Sequence, residues 1–298
     1  MNPVAKRVVT ALATAAGVAA LFLWCPLTAL TPIVILLSAL VQLEFYQMAR
    51  AYEPVARFGI LLGTLWLALT AMFPGWQAVP GTAAYGLVTF VPAFFLLAAY
   101  VLFSSRYAKP IGTLASTLLG FFYVPFLLSF FLRIVQLQGP YGKTFAMPES
   151  RVGLYTLFAI LAVTKLSDMG GFAFGVAFGR HKMCPSISPK KSWEGLLGSI
   201  LGSSLMALLF RWVAIRNDWA VDCAFWDHVT VPGAILFGAG VALAGTCGDL
   251  IESRFKRECG VKDSATFMPA GMGGFLDMFD SILFMPALVY PVIVGLSR

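Results

Sequence analysis

The sequence predicts an all-α, polytopic membrane protein with about nine transmembrane helices, and two observations carry that prediction. Of 298 residues, 59% are hydrophobic and only 12% charged, whereas a soluble domain carries about 25% charged residues. Apolar runs near the ~20 residues needed to cross a bilayer also recur along the whole length. The pattern implies one integral membrane domain over residues 1–298. Residues 1–150 read as scaffold spans, and residues 151–298 carry the chemistry.

Lys6 and Arg7 precede the first apolar run, 8–24. No small-residue cleavage site follows and a second run begins after Pro26, so the segment reads as an uncleaved signal anchor with a cytoplasmic N-terminus. Further spans are expected at 27–43, 58–74, 82–103, 111–135, 153–178, 195–214, 232–249 and 277–296. The segment 44–57 mixes Glu44, Arg50, Glu53 and Arg57 with Phe45, Tyr46, Met48 and Tyr52, the pattern of a short interfacial helix.

Nine spans put the termini on opposite sides, and the loop charges agree. Arg50 and Arg57, then Arg106 and Lys109, then Arg180, Lys182, Lys190 and Lys191, then Arg254, Lys256, Arg257 and Lys262 all fall on the N-terminal side. The opposite loops include the uncharged 75–81 and an acidic 215–231 with Asp218, Asp222 and Asp227. The net charge of +7 therefore reads as topology, with no nucleic-acid partner. The five cysteines form no CxxC pair, which argues against zinc and a disulfide framework.

The sixth span is unusual in holding Lys165 and Asp168 in TKLSDMGG, followed by Gly170, Gly171, Gly175 and Gly179. Charge at membrane depth faces protein or a polar cavity, and the i, i+3 spacing also suits a structural ion pair. The glycines suit close helix packing or an opening for ligand.

Three clusters follow on the N-terminal side. In residues 179–195, GRHKMCPSISPKKSWEG, a Ser188–Pro189 turn leads through Lys190 and Lys191 into a helix that starts at Ser192 with Glu194 in its first turn. Ammonium groups beside a helix N-terminus form a seat for polyphosphate, although a topogenic loop would also be basic. In GDLIESRFKRECGVKDS, Asp249 and Glu252 stand one helical turn apart, and Lys256, Arg257 and Lys262 follow in the adjoining loop. That combination suits a metal-bound nucleotide or a salt-bridged surface loop. In PAGMGGFLDMFDS, Asp277 and Asp280 open the last span; an i, i+3 carboxylate pair there binds a hard cation such as magnesium or stabilises the helix dipole. His181 and His228 fall on opposite faces, against a zinc site. GxSxG, HExxH and GxxxxGK[ST] are absent, so serine-hydrolase, zincin and P-loop readings lack their motifs.

Residues 165–281 resemble the CDP-diacylglycerol synthases, or phosphatidate cytidylyltransferases. The matching pieces are Asp168, Gly179-Arg180-His181-Lys182, Ser188-Pro189-Lys190-Lys191-Ser192-Trp193-Glu194-Gly195, Gly248-Asp249-Leu250, Ser253, Lys256-Arg257 and Lys262-Asp263. The family's terminal PGHGGxxDRxD is altered here: Met272 stands where histidine is usual, one residue is extra, and Met278 replaces arginine, while Asp277 and Asp280 remain. Lys165 is a candidate to replace the lost cation.

The resemblance implies transfer of CMP from CTP to phosphatidate, with release of pyrophosphate, by a dimer in a bacterial inner membrane with its catalytic loops cytoplasmic. It implies Mg²⁺, alone or with a second cation, on Asp249, Asp277 and Asp280. Lys190, Lys191, Lys256, Arg257 and Lys262 would hold phosphates, Lys262 acting beside the three acids in catalysis. Asp168, Ser188 and Glu194 would contact substrate, and Asp263 would fix Lys262. The alternatives are a divergent homologue acting on another lipid phosphate or nucleotide, suggested by Met272 and Met278, and a transporter without chemistry.

Overall fold

A computed structural model of the chain describes residues 27–72, 83–136, 152–216, 229–261, 264 and 274–296. The expected span 8–24, the loop 75–81 and the acidic residues of 215–231 lie outside them, as do Lys262, Asp263 and Met272. Helix α1 (Leu27–Met48) is followed by a 3-10 turn (Ala49–Tyr52), α2 (Ala56–Met72) and α3 (Ala83–Phe103). Helices α4 (Pro110–Phe121) and α5 (Leu127–Val135) form one rod through a π-helical turn, Phe122–Phe126. Then come α6 (Val152–Phe178), strands β1 (Lys182–Cys184) and β2 (Ser188–Ser192), α7 (Trp193–Arg216), α8 (Val231–Glu258) and α9 (Phe275–Leu296).

Six of the described helices are long and apolar enough to cross a membrane: α1, the α4–α5 rod, α6, α7, α8 and α9. The helix α2 and the part of α3 from Thr89 to Phe103 are shorter and also apolar. Largely apolar stretches of this length take up helix because bonding within the segment satisfies backbone N–H and C=O groups away from water.

Four local expectations are corrected. The fold is mostly helical but not wholly so, since β1 and β2 pair antiparallel, Lys182 opposite Ser192 and Cys184 opposite Ser188. The turn falls at 185–187 and not at Ser188–Pro189; Pro189 has no N–H to give to the ladder, and the register shifts between the two pairs. Residues 44–57 do not form a separate interfacial helix. Glu44, Phe45, Tyr46 and Met48 are buried, so α1 continues through them before the chain turns. Finally, α8 runs nine residues past the expected 249, so Lys256 and Arg257 lie on its last turns and not in a loop. An i, i+4 bond from Lys256 to Glu252 supports that extension.

Polar side chains tie the N-terminal helices together. Gln42 donates to the Gly59 carbonyl at 3.0 Å, the Tyr46 hydroxyl donates to the Thr117 carbonyl at 2.9 Å, and Val55 N–H donates to Thr117 Oγ1 at 2.9 Å. Pro125 removes one ladder donor, and the backbone answers with the π turn that holds buried Tyr123.

The glycines of α6 serve close packing. A Cβ at Gly170 would strike the Gly198 carbonyl of α7, and one at Gly198 would strike the Gly170 carbonyl and the Phe174 side chain. Helices can approach this closely only without side chains between them. Gly198→Leu is therefore expected to pry α6 from α7 at an overpacking cost on the order of 1–3 kcal/mol, read as a lower thermal midpoint by circular dichroism in detergent.

Candidate active site

The hairpin, the end of α8 and the start of α9 bring most of the sequence-predicted residues together. At the start of α7, Ser192 Oγ accepts Gly195 N–H at 3.2 Å, the side-chain cap that a helix N-terminus lacks by itself. Glu194 in that first turn clasps the hairpin. Its carboxylate accepts the N–H groups of Arg180 and His181, each at 3.2 Å, and lies 2.6 Å from His181 Nδ1. Glu194 thus sets the position of β2, which carries Ser188, Lys190 and Lys191. Of these, Ser188 and Lys191 are partly buried and Lys190 is exposed.

Lys191 reaches from β2 to α8. Its ammonium lies 2.9 Å from Asp249 Oδ2 and donates to the Thr246 carbonyl at 3.1 Å. Asp249 Oδ1 is buried without a hydrogen-bond partner. One turn on, Glu252 is fully buried. Its Oε2 accepts from Lys256 at 3.0 Å, and the same ammonium donates to Asp277 Oδ1 at 2.6 Å. Lys256 therefore bridges α8 to α9 between two carboxylates. Asp280 of α9 stands beside Glu252, and the Glu252 Oε1 atom has no hydrogen-bond partner.

Asp277 also serves its own helix. Its Oδ2 accepts Gly274 N–H at 2.7 Å and Ser264 N–H at 3.0 Å, the reach-back of a capping box, so the helix-stabilising alternative for this acid is realised. The next unpaired donor, Leu276 N–H, goes to Glu44 Oε2 of α1 at 2.9 Å. The start of α9 is thereby held from α1, from the segment after α8 and from its own third residue.

The remaining predicted residues sit apart. Asp168 pairs with Lys165 on α6 at 3.5 Å, both partly exposed, which realises the ion-pair alternative for them. Arg257 is exposed and donates to the Val261 carbonyl at 3.4 Å. Met278, in place of the family's arginine, is exposed. Lys262 and Asp263 lie outside the described residues. Beside Ser264 opens a cavity of about 770 Å³, lined among others by Gln47, Arg50, Glu53, Cys259 and Val261.

Sequence reasoning missed Glu44 and left Glu252 unassigned. Glu44 was legible only as a charge at the end of an apolar run, and its part in holding α9 depends on a contact between distant segments.

Among the described residues no group of three or more His, Cys, Asp or Glu is arranged to hold a metal ion. Magnesium nevertheless commonly takes only one or two carboxylates and completes its shell with water and substrate phosphates. The partnerless Asp249 oxygen and the adjacent Glu252 and Asp280 carboxyls fit that requirement, since side-by-side carboxyls draw a cation or share a proton. Both oxygens of Asp277 already carry bonds.

The chain is 33% identical over 213 residues to the phosphatidate cytidylyltransferase of Chlamydia trachomatis serovar D, covering 70% of this chain and 65% of that protein, just under two thirds of its length. It is 30% identical over 267 residues to the phosphatidate cytidylyltransferase of Synechocystis sp., covering 84% and 83% of the two chains. Over 135 residues it is 42% identical to the protein of that name from Staphylococcus epidermidis, covering 45% and 47%. The cytidylyltransferase family model matches residues 5–295, and with nearly the whole length accounted for, this chain belongs to the cytidylyltransferase family.

Proposed function

We propose that the protein transfers CMP from CTP to phosphatidate, forming CDP-diacylglycerol and pyrophosphate. The observation that carries this reading is the paired set in which Lys191 of β2 holds Asp249 and Lys256 joins Glu252 to Asp277, with Asp280 beside Glu252, where two membrane-length helices, α8 and α9, meet. It stands in a chain matched along its length to proteins named for that activity. Such a place gives a polyphosphate access beside a lipid surface.

In the reaction, a phosphatidate phosphate oxygen attacks the α-phosphorus of CTP. The new O–P bond forms as the bond to the oxygen bridging the α- and β-phosphates breaks, and that electron pair leaves on pyrophosphate. The attacking oxygen is already anionic, so no strong general base is required. Lys190 and Arg257, both exposed, together with Lys262, bind phosphate oxygens from the water side. Lys191 and Lys256 hold the carboxylates in register and supply positive charge to the departing pyrophosphate. The cavity beside Ser264 is of the size that ligand pockets have and borders the backbone that orients Asp277, so it gives the nucleotide room. The chain needs no histidine at position 272 for this chemistry.

Asp249 and Asp280 are the proposed holders of Mg²⁺, with Asp277 as a third and Glu252 beside them; a second cation fits the same reading. When bound, Mg²⁺ lowers repulsion between the anionic reactants and stabilises the leaving group. The full proposal includes nine spans, a homodimer and an inner-membrane setting with catalytic loops in the cytoplasm. The basic loops support that orientation.

The test is transfer of label from CTP into phosphatidate by protein purified in detergent, with and without Mg²⁺, alongside Asp280→Asn. Label entering lipid only with Mg²⁺ and the intact acid is expected, and chelation should stop it. No transfer by folded wild type would shift the reading to another lipid phosphate or nucleotide. Substrate flux without nucleotide turnover would favour a transporter.

A further inference from the structure

Tyr123 is the feature that the reading above leaves unused. It sits in the π turn enforced by Pro125, is 4% exposed, and its hydroxyl is buried without a hydrogen-bond partner. Three aromatic rings cage it: Phe45 stacked at 5.8 Å, and Phe255 and Phe284 edge-on at 5.6 Å each. The cage leaves the ring little freedom. Phe255 follows Glu252 by one turn of α8 and Phe284 follows Asp280 by one turn of α9, so the ring packs beside the stretch of both helices that carries the acids.

The same neighbourhood contains two buried acceptors without partners, Glu252 Oε1 and Asp249 Oδ1. A buried hydroxyl left unpaired is unfavourable by about 1–3 kcal/mol, and a phenylalanine would fill the same volume without that penalty. A buried donor in the same neighbourhood as buried acceptor atoms, each without a donor–acceptor partner, points to a hydrogen-bond set that closes in another state of the site. π turns inside helices also recur at functional positions.

We propose that Tyr123 is a positioning residue of the acidic cluster: its hydroxyl donates to the Glu252–Asp249 side of the site when cation and nucleotide are bound, and so fixes the carboxylates in their working orientation. This rests on the cytidylyltransferase reading and adds to it a residue from the N-terminal half of the chain. Outer hydrogen-bond donors of this kind typically change metal affinity by about 10–100-fold.

The experiment measures thermal midpoints of full-length protein in detergent, without ligand and with Mg²⁺ plus CTP, for wild type, Tyr123→Phe and Tyr46→Phe. Tyr46→Phe is the structural control, because its hydroxyl already has a partner in the Thr117 carbonyl. Tyr123→Phe is expected to leave the ligand-free midpoint unchanged or raised, to lose most of the rise produced by Mg²⁺ plus CTP, and to need about 10–100-fold more Mg²⁺ for half-maximal transfer. Tyr46→Phe is expected to do the reverse, with a lower ligand-free midpoint and an intact ligand response. A full ligand response in Tyr123→Phe would overturn the positioning role and leave the enzyme reading standing. No response in folded wild type would remove the nucleotide site itself, and the positioning role with it.

Discussion

Asp249→Asn is expected to lower CTP-dependent labelling of phosphatidate by on the order of a thousandfold, because a carboxylate that seats a phosphate-bridging cation underlies several kcal/mol of charge stabilisation. The substitution keeps the side chain's shape and leaves an amide oxygen for Lys191, which now lies 2.9 Å from Asp249 Oδ2. What it removes is negative charge on the second oxygen, Oδ1, which is buried without a hydrogen-bond partner. Thermal unfolding should therefore stay close to wild type while transfer collapses. The outcome that sinks this assignment is the opposite pattern, in which transfer survives and the protein loses about 1 kcal/mol, the value of a partly exposed ion pair. Asp249 would then be only the anchor for Lys191.

Lys256→Met is expected to have the largest effect on stability. The ammonium is largely buried between Glu252, which is wholly buried, and Asp277, which is largely so, so its removal leaves two carboxylates without the cation they share. Breaking a buried ion pair from one side is unfavourable by about 3–5 kcal/mol. Asp277 in turn caps α9, and losing its alignment loosens the turn that presents Asp280. Chemical or thermal unfolding followed by tryptophan fluorescence reads the loss. Glu252→Gln added to Lys256→Met is expected to recover much of it, since one uncompensated charge disappears; simple addition of two separate losses would rule out the proposed coupling.

Much of the site was legible because its chemistry is local. Asp249 and Glu252, Lys190 and Lys191, and Asp277 and Asp280 are close in sequence, and helical periodicity puts i and i+3 residues on one face. The capped start of α7 at Ser192 was likewise readable from Ser192 and Glu194. The hairpin was not, because a two-stranded ribbon of three and five residues leaves almost no alternation to detect. The course of α8 past residue 249 was also missed. A charged stretch reads as a water-facing loop until its partners are known, and Asp277, which holds Lys256, is 21 residues away.

Composition alone determined the class of the molecule. A chain so poor in charge and so rich in apolar runs must satisfy its backbone internally, and uninterrupted runs of about 20 apolar residues do so as helices long enough to cross a membrane. Local spacing likewise picked out most of the acids and cations that the candidate C-terminal site brings together. Only the tertiary structure decided how they pair, that Lys191 holds Asp249 and Lys256 holds both Glu252 and Asp277, and that Glu44, 232 residues away, takes the Leu276 N–H. Those pairings arise from burial: once water is excluded, each charged or polar group must find its partner across helices, and sequence distance places no limit on which helix supplies it.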